Sequence, residues 1–219
     1  PGSSRLHTAF LVFPSYSPAG TTSSHPVTVF VLSAVRYDGH SGHQSTGQFE
    51  HHMTQSRFTR RRRSLIARIR KLGLQAALVT DESNVTWLTG FTGDSSYLLV
   101  GPKLGVLISD TRYTVQISEE CDGLDVEIRD ARRPMHAAVA SVVDAARIDS
   151  LGIEAHSTSM ATWQQISDAI NGVRRSTQIA QVDMIVNQLR AKKDAGEIAE
   201  IRLAIRQAER GFAAMASVL

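Results

Sequence analysis

The sequence predicts an α/β protein built on a mixed β-sheet with helices on both faces. Three observations predict it. Apolar runs of three to five residues recur at 76–79, 97–100, 106–108, 151–154 and 178–182, the length of short buried strands. Amphipathic stretches lie between most of them. Gly101-Pro102 separates the second run from the third, which reads as a β-hairpin within an alternating strand–helix order and so mixes the strand directions.

The elements follow in order. Residues 1–52 are rich in Ser, Thr, Gly, Pro and His and nearly lack acidic side chains. They read as a disordered extension upstream of a start at Met53, with a functional tail as the alternative. The apolar run 27–35 suits a strand or a signal-peptide core, without a clean basic lead-in. A helix over 56–72 ends at Gly73 and turns Phe58, Leu65, Ile66, Ile69 and Leu72 inward. After the strand at 76–79, Ser83 or Asn84 caps a short turn carrying Trp87 and Leu88. Gly90 and Gly93 bracket Phe91 and permit a bend. The hairpin leads to a helix capped by Asp110 or Thr111 and running through Val115 and Ile117. Residues 125–128 alternate like a half-buried strand. Pro134 opens a helix that buries Met135, Ala138, Val139, Val142, Val143 and Ala146. Ser159 caps another, with Met160, Trp163, Ile166 and Ile170 inward. The last helix begins with Asp194-x-x-Glu197, a capping box, and carries a seam of Ile198, Ile201, Ile205, Ala208, Phe212, Met215 and Leu219.

Composition narrows function. The chain has 219 residues, 42% of them hydrophobic, and a net charge of +3. That fits one sizeable core plus extensions. No apolar run approaches the roughly 18–20 residues needed to span a bilayer. Cys121 is the single cysteine, so no internal disulfide forms and a reducing cytoplasm is expected. Glu119 and Glu120 beside it oppose a thiolate, which makes it a poor nucleophile. Arg57, Arg60, Arg61, Arg62, Arg63, Arg68, Arg70 and Lys71 concentrate the basic charge on one helix. That run reads as a solvated helix face, with an anionic nucleic-acid or membrane surface as the rival. No zinc-knuckle spacing or aromatic-rich RNA-binding motif accompanies it.

Asn84-Val85-Thr86-Trp87-Leu88-Thr89-Gly90-Phe91-Thr92-Gly93, the hairpin, and Asp110-Thr111-Arg112-Tyr113 stand in one order and spacing. In that order they resemble the amino-terminal domain of the creatinase/prolidase superfamily, the Xaa-Pro aminopeptidases and Xaa-Pro dipeptidases. Leu151-Gly152-Ile153-Glu154 resembles a further family segment. Val186 to Ala204, with Leu189, Arg190, Lys193 and Glu197, resembles the segment that joins its two domains. The resemblance covers roughly 56–219. Trp87 stands where many members have Tyr, and Asp94 where many have Ser.

The resemblance implies a ribonuclease H-like fold for 53–183, with 184–219 as a linker and the first helix of a catalytic domain beyond this chain. It implies that Trp87, Phe91, Arg112 and Tyr113 line the rim of a substrate pocket; read from the residues alone, the segment is a packed corner. In family peptidases two divalent metal ions, held by two Asp, one His and two Glu of the catalytic domain, activate water against the bond before proline. The expected partners are that catalytic domain, a second copy of the chain, and proline-containing peptides for the intact enzyme, with neither a membrane nor nucleic acid among them. No catalytic or metal-binding residue is assigned here. The sequence has no His-Glu-x-x-His, no phosphate-loop Gly-Lys-Ser/Thr and no Gly-x-Ser-x-Gly, and His136 and His156 fall on separate elements. The resemblance implies the function of a non-catalytic domain that restricts active-site access and supports dimerisation in the intact enzyme. A pseudo-enzyme module that binds peptides or proteins is one alternative. A basic nucleic-acid or anionic-surface binder is the other.

Overall fold

A computed structural model describes residues 46–121, 123–173 and 177–216, with side chains from residue 57 onward. The reading of residues 1–52 as a disordered extension lies outside this range for its first 45 residues; 46–52 belong to a helix. Helix α1 spans Thr46–Lys71, so it begins ten residues before the expected 56. Arg68, Arg70 and Lys71 sit in its last turn, where positive charge meets the carbonyl end of the helix. Gly73 takes φ +72° and the N–H of Leu74 reaches back to Ile69 O at 3.1 Å, a closure that favours glycine at the left-handed position.

Strand β1 (Ala76–Val79) leads to α2 (Glu82–Thr89), then the hairpin β2 (Tyr97–Gly101) and β3 (Leu104–Asp110). A single 3-10 turn at Thr111–Tyr113 precedes α3 (Thr114–Glu120) and β4 (Asp125–Arg129). The remaining elements are α4 (Met135–Ala145), β5 (Ser150–Glu154), α5 (Met160–Gly172), β6 (Gln178–Val182), α6 (Ile185–Ala191) and α7 (Ala195–Ala216). The strands form one six-stranded sheet in the order β4-β3-β2-β1-β5-β6. β1–β2 and β2–β3 pair antiparallel; the other three pairs are parallel. The mixed sheet expected from the hairpin is therefore present.

Strand period 2 divides the core. Ala76 and Leu78 face one cluster with Leu99 of β2 and with Ala138, Val143, Ile166 and Ile170 of α4 and α5. Ala77 and Val79 face the other, with Leu65, Ile69, Val85, Leu88, Ile117 and Val186 from α1, α2, α3 and α6. Helices thus cover both faces.

Several local expectations are corrected. Asp81, not Ser83 or Asn84, caps α2: its carboxylate accepts from the Asn84 N–H at 2.9 Å. Ser83 and Asn84 already lie inside the helix. Leu72 and Met160 are exposed, as is Ala146. Each stands at or just past a helix end, where helical periodicity no longer sets which way a side chain faces. Asp110 caps only the 3-10 turn; α3, the helix through Val115 and Ile117, starts after Tyr113 with no side-chain cap, because the intervening turn separates it from Asp110. Ser159 caps α5 through the Thr162 N–H. No helix of the described residues is long and apolar enough to cross a membrane.

Candidate functional site

The turn after α2 is held open by glycines. Gly90 has φ +87° and donates to Thr86 O at 2.8 Å. A Cβ there would press into the Phe58 ring, and one at Gly93 would press into the rings of Phe91 and Tyr113. Phe91 is completely buried and meets Tyr113 edge to face, with centroids 5.5 Å apart. The Tyr113 hydroxyl donates to Asp94, which draws the Asp94 carboxyl below its usual range and raises the phenol.

Arg112 lies beside this ring, its guanidinium 5.1 Å from the Tyr113 centroid. Its Nε and Nη2 grip both oxygens of Asp110 at 3.0 and 2.8 Å, a two-point fork. Arg129 Nη2 adds a third contact to Asp110 at 3.3 Å. The hydrogen bonds from Arg112 hold the Asp110 carboxyl low, and Asp110 holds the guanidinium more firmly protonated than usual. The result is a charged, partly exposed guanidinium fixed in direction beside a phenol. It can orient a polar group of a ligand. It offers neither a nucleophile nor a general base.

The structure divides the four expected rim residues. Phe91, Arg112 and Tyr113 cluster together, with Phe91 buried behind the other two. Trp87 joins a different group. Its Nε1 donates to Glu197 at 2.9 Å, and its ring lies 4.5 Å from the Arg61 guanidinium. Arg61 is only 6% exposed. It donates to Trp87 O at 3.0 Å and to Asp194 at 2.8 Å, and pairs with Glu197 at 3.1 Å. The capping box forms reciprocally: Asp194 N–H to Glu197 and Glu197 N–H to Asp194, both 2.9 Å. Burial alone would raise the Asp194 carboxyl, but the Glu197 N–H and Arg61 outweigh it and the net shift is downward. Arg57 extends the clasp to Glu200 at 3.0 Å.

The basic run is therefore not a simple solvated face. Arg61 and Arg62 are buried, and Arg62 donates to Leu88 O at 2.9 Å. Burial lowers its pKa. Arg60 and Arg63 are exposed, as the periodicity of α1 requires. The hydrophobic pattern marked Leu65 and Ile69 as inward. It carried no signal that the carbonyls ending α2 and the acids opening α7 would draw two arginines in with them.

A third cluster was missed for the same reason. Glu154 closes β5 and is 6% exposed. One oxygen accepts from the Thr80 and Asp81 N–H groups at 3.0 and 3.1 Å; the other accepts from Asn84 Nδ2 at 2.7 Å. Arg190 donates to Asn84 Oδ1 at 2.7 Å. Burial pushes the Glu154 carboxyl upward against these hydrogen bonds. Cys121 is buried, His136 is half-buried, and His156 is exposed on another element. Among the described residues, no group of three or more His, Cys, Asp or Glu could hold a metal ion.

Comparison with known proteins supplies the context. A model of the Creatinase/Prolidase N-terminal domain matches residues 61–192. The chain is 28% identical over 142 residues to "Uncharacterized peptidase YqhT" of Bacillus subtilis (strain 168), covering 65% of this chain and 38% of that protein. The N-terminal domain of cytoplasmic peptidase PepQ from Mycobacterium tuberculosis H37Rv superimposes with TM-score 0.54 at 30% identity, covering 59% of this chain and 97% of that one. An X-Pro aminopeptidase from Thermotoga maritima MSB8 does so with TM-score 0.62 at 28% identity, covering 72% and 43%. A Xaa-Pro dipeptidase from Bacillus anthracis has TM-score 0.67 at 22% identity, covering 74% and 44%, and supports the fold alone. The chain spans less than half the length of YqhT and of these two longer peptidases. With the sheet order, the glycine-bracketed turn and the Asp110–Tyr113 corner all in place, a match across 61–192 assigns the family: the chain belongs to the creatinase/prolidase N-terminal domain family.

Proposed function

We propose that residues 53–183 are the non-catalytic amino-terminal domain of a Xaa-Pro metallopeptidase, and that 184–219 lead into a catalytic domain. In this reading the domain restricts access to the active site and supports a homodimer. The intact enzyme acts on proline-containing peptides in the cytoplasm, with two divalent metal ions in the catalytic domain. Arg112 and Tyr113 form the substrate-facing rim, Phe91 backs Tyr113 from the core, and Trp87 ties that side of the domain to α7.

One observation carries the reading. Helix α7 is fastened at its first turn by Arg61, Trp87 and its capping box, yet none of its residues is buried. Ile198, Ile201, Ile205, Phe212 and Met215 keep 39–69% of their surface exposed. A helix so firmly placed and so apolar on its outer side is suited to carry a further domain. The greater length of the similar peptidases supports this.

The test compares the 219-residue chain with the intact product of its reading frame. The intact protein should hydrolyse Xaa-Pro peptides with added manganese, cobalt or zinc and lose activity to a chelator; the chain alone should be inert. Chelator-sensitive turnover by the purified chain would overturn the non-catalytic assignment. An intact, folded protein inert under all three metals would turn the reading to a peptide- or protein-binding module of the same fold.

A further inference from the structure

The cleft between α1 and α6 has a charge imbalance that the fastening of α7 does not use. Its volume is about 250 Å³, below the roughly 300–1,000 Å³ usual for organic ligands. Arg60, Arg61, Arg68 and Lys192 line it against only two carboxylates, Asp194 and Glu197, an excess of two positive charges. Both carboxylates are engaged by Arg61. Arg60 and Lys192 have no acidic partner among the described residues. Arg68 donates to Gln188 at 2.9 Å, a neutral acceptor that steadies the guanidinium and leaves its charge uncompensated.

The placement is ordered. Arg60, Ser64 and Arg68 fall at four-residue steps on α1 and so share one face. Eight residues at about 1.5 Å each separate the two arginine Cα atoms by about 12 Å. Lys192 faces them from the end of α6, and Trp87 and Leu189 supply apolar wall. Like charges gathered around a small concavity repel one another until an anion enters. The occupant must carry several negative charges in a small volume and be long enough to meet cations at both ends. A short phosphate chain satisfies both, and guanidinium forks match its oxygens. An acidic peptide brings about one charge per residue in a much larger volume.

We infer that this cleft is a binding site for a short phosphate chain, either free polyphosphate or the tail of a nucleotide. The cleft shares Arg61, Trp87, Asp194 and Glu197 with the fastening of α7, but its test reads binding to the chain alone, so its failure is distinguishable from failure of the peptidase reading.

Calorimetric titration of the chain with sodium tripolyphosphate at low ionic strength tests it, with ATP as a second arm. Saturable binding that weakens steeply with added salt is expected. The triple substitution Arg60→Gln, Arg68→Gln, Lys192→Gln should lower affinity by about tenfold or more, since each lost charge-assisted contact matters. Arg132→Gln with Arg133→Gln, between β4 and α4, should leave affinity unchanged. Lys192→Gln alone, at an exposed side chain, should weaken binding severalfold and keeps the test valid if the triple variant unfolds. Equal affinity in both arms assigns free polyphosphate; tighter ATP binding assigns the phosphate tail of a nucleotide whose base and sugar lie outside the cleft. Absence of saturable binding overturns the inference. So does an equal loss in the Arg132/Arg133 variant, or a generic DNA duplex that displaces the phosphate chain and binds both variants alike.

Discussion

Glu154 shows how one side chain serves opposing demands. Four donors, from Thr80, Asp81, Asn84 and Ser157, converge on its carboxylate, yet burial raises its pKa above the ordinary 4.5. A raised folded pKa means that the native state binds the proton more tightly than the unfolded chain. Its stabilising contribution is then complete below the unfolded value and is lost as pH rises through the folded one. Glu154→Gln removes that titration while keeping the shape. In thermal melts across the mildly acidic to neutral range, the penalty of Glu154→Gln should be largest at the acid end and shrink as pH rises. A penalty constant with pH would show that Glu154 does not titrate in this window. Asp94 and Asp110, whose pKa values are lowered, act with the opposite sign: their contribution is present above the unfolded carboxylate value and lost on acidification. Arg61 shows a related balance. Its charge is buried, but two acids and a carbonyl meet it. Losing such charge-assisted bonds costs about 1.5–3 kcal/mol. That is below the ~3–5 kcal/mol of a wholly buried pair, because the Asp194 and Glu197 side chains stay 26% and 16% exposed.

At the scale of elements, α7 separates two properties that usually go together. Its start is specified by hydrogen bonds and ion pairs, while its length gains nothing from burial. Completing the burial of five half-exposed apolar side chains is worth on the order of 5 kcal/mol, enough to drive association. In light scattering, the 219-residue chain should therefore exceed the monomer mass of 23.9 kDa. Ile201→Lys with Ile205→Lys should return it toward that mass without lowering the melting temperature of the sheet. A monomeric wild-type chain would assign this face to a further domain of the intact protein instead of a second copy.

At the scale of the whole molecule, the proposed reading makes the Asp110–Tyr113 corner the rim that faces substrate. Arg112 is fixed by Asp110 and 60% exposed as a side chain, so it can contact a neighbouring domain without rearranging the core. On the proposed reading, Arg112→Ala in the intact protein should raise KM for Xaa-Pro peptides by about tenfold with kcat little changed, the pattern of lost uniform binding. Steady-state kinetics on Xaa-Pro peptides, with circular dichroism to confirm folding, check this. Unchanged kinetics in a folded variant would remove Arg112 from the rim. Tyr113→Phe should have a smaller effect, because it deletes the bond to Asp94 and keeps the packing on Phe91.

The strands, the hairpin at Gly101-Pro102, the Ser159 cap and the Asp194–Glu197 box were legible in the sequence. Each depends on residues a few positions apart, through side-chain period or turn chemistry. So did the mixed sheet, since a hairpin and a strand–helix order dictate opposite strand directions. The contacts that only the tertiary structure decided join residues far apart in the chain. Parallel pairing of β1 with β5 brings the segment after Val79 against Glu154 at their common ends. The packing of α1 over α2 and the start of α7 draws Arg61 and Arg62 out of solvent. Local pattern cannot show this, because an arginine reads as solvent-facing until fixed acceptors elsewhere in the fold compensate the cost of its burial.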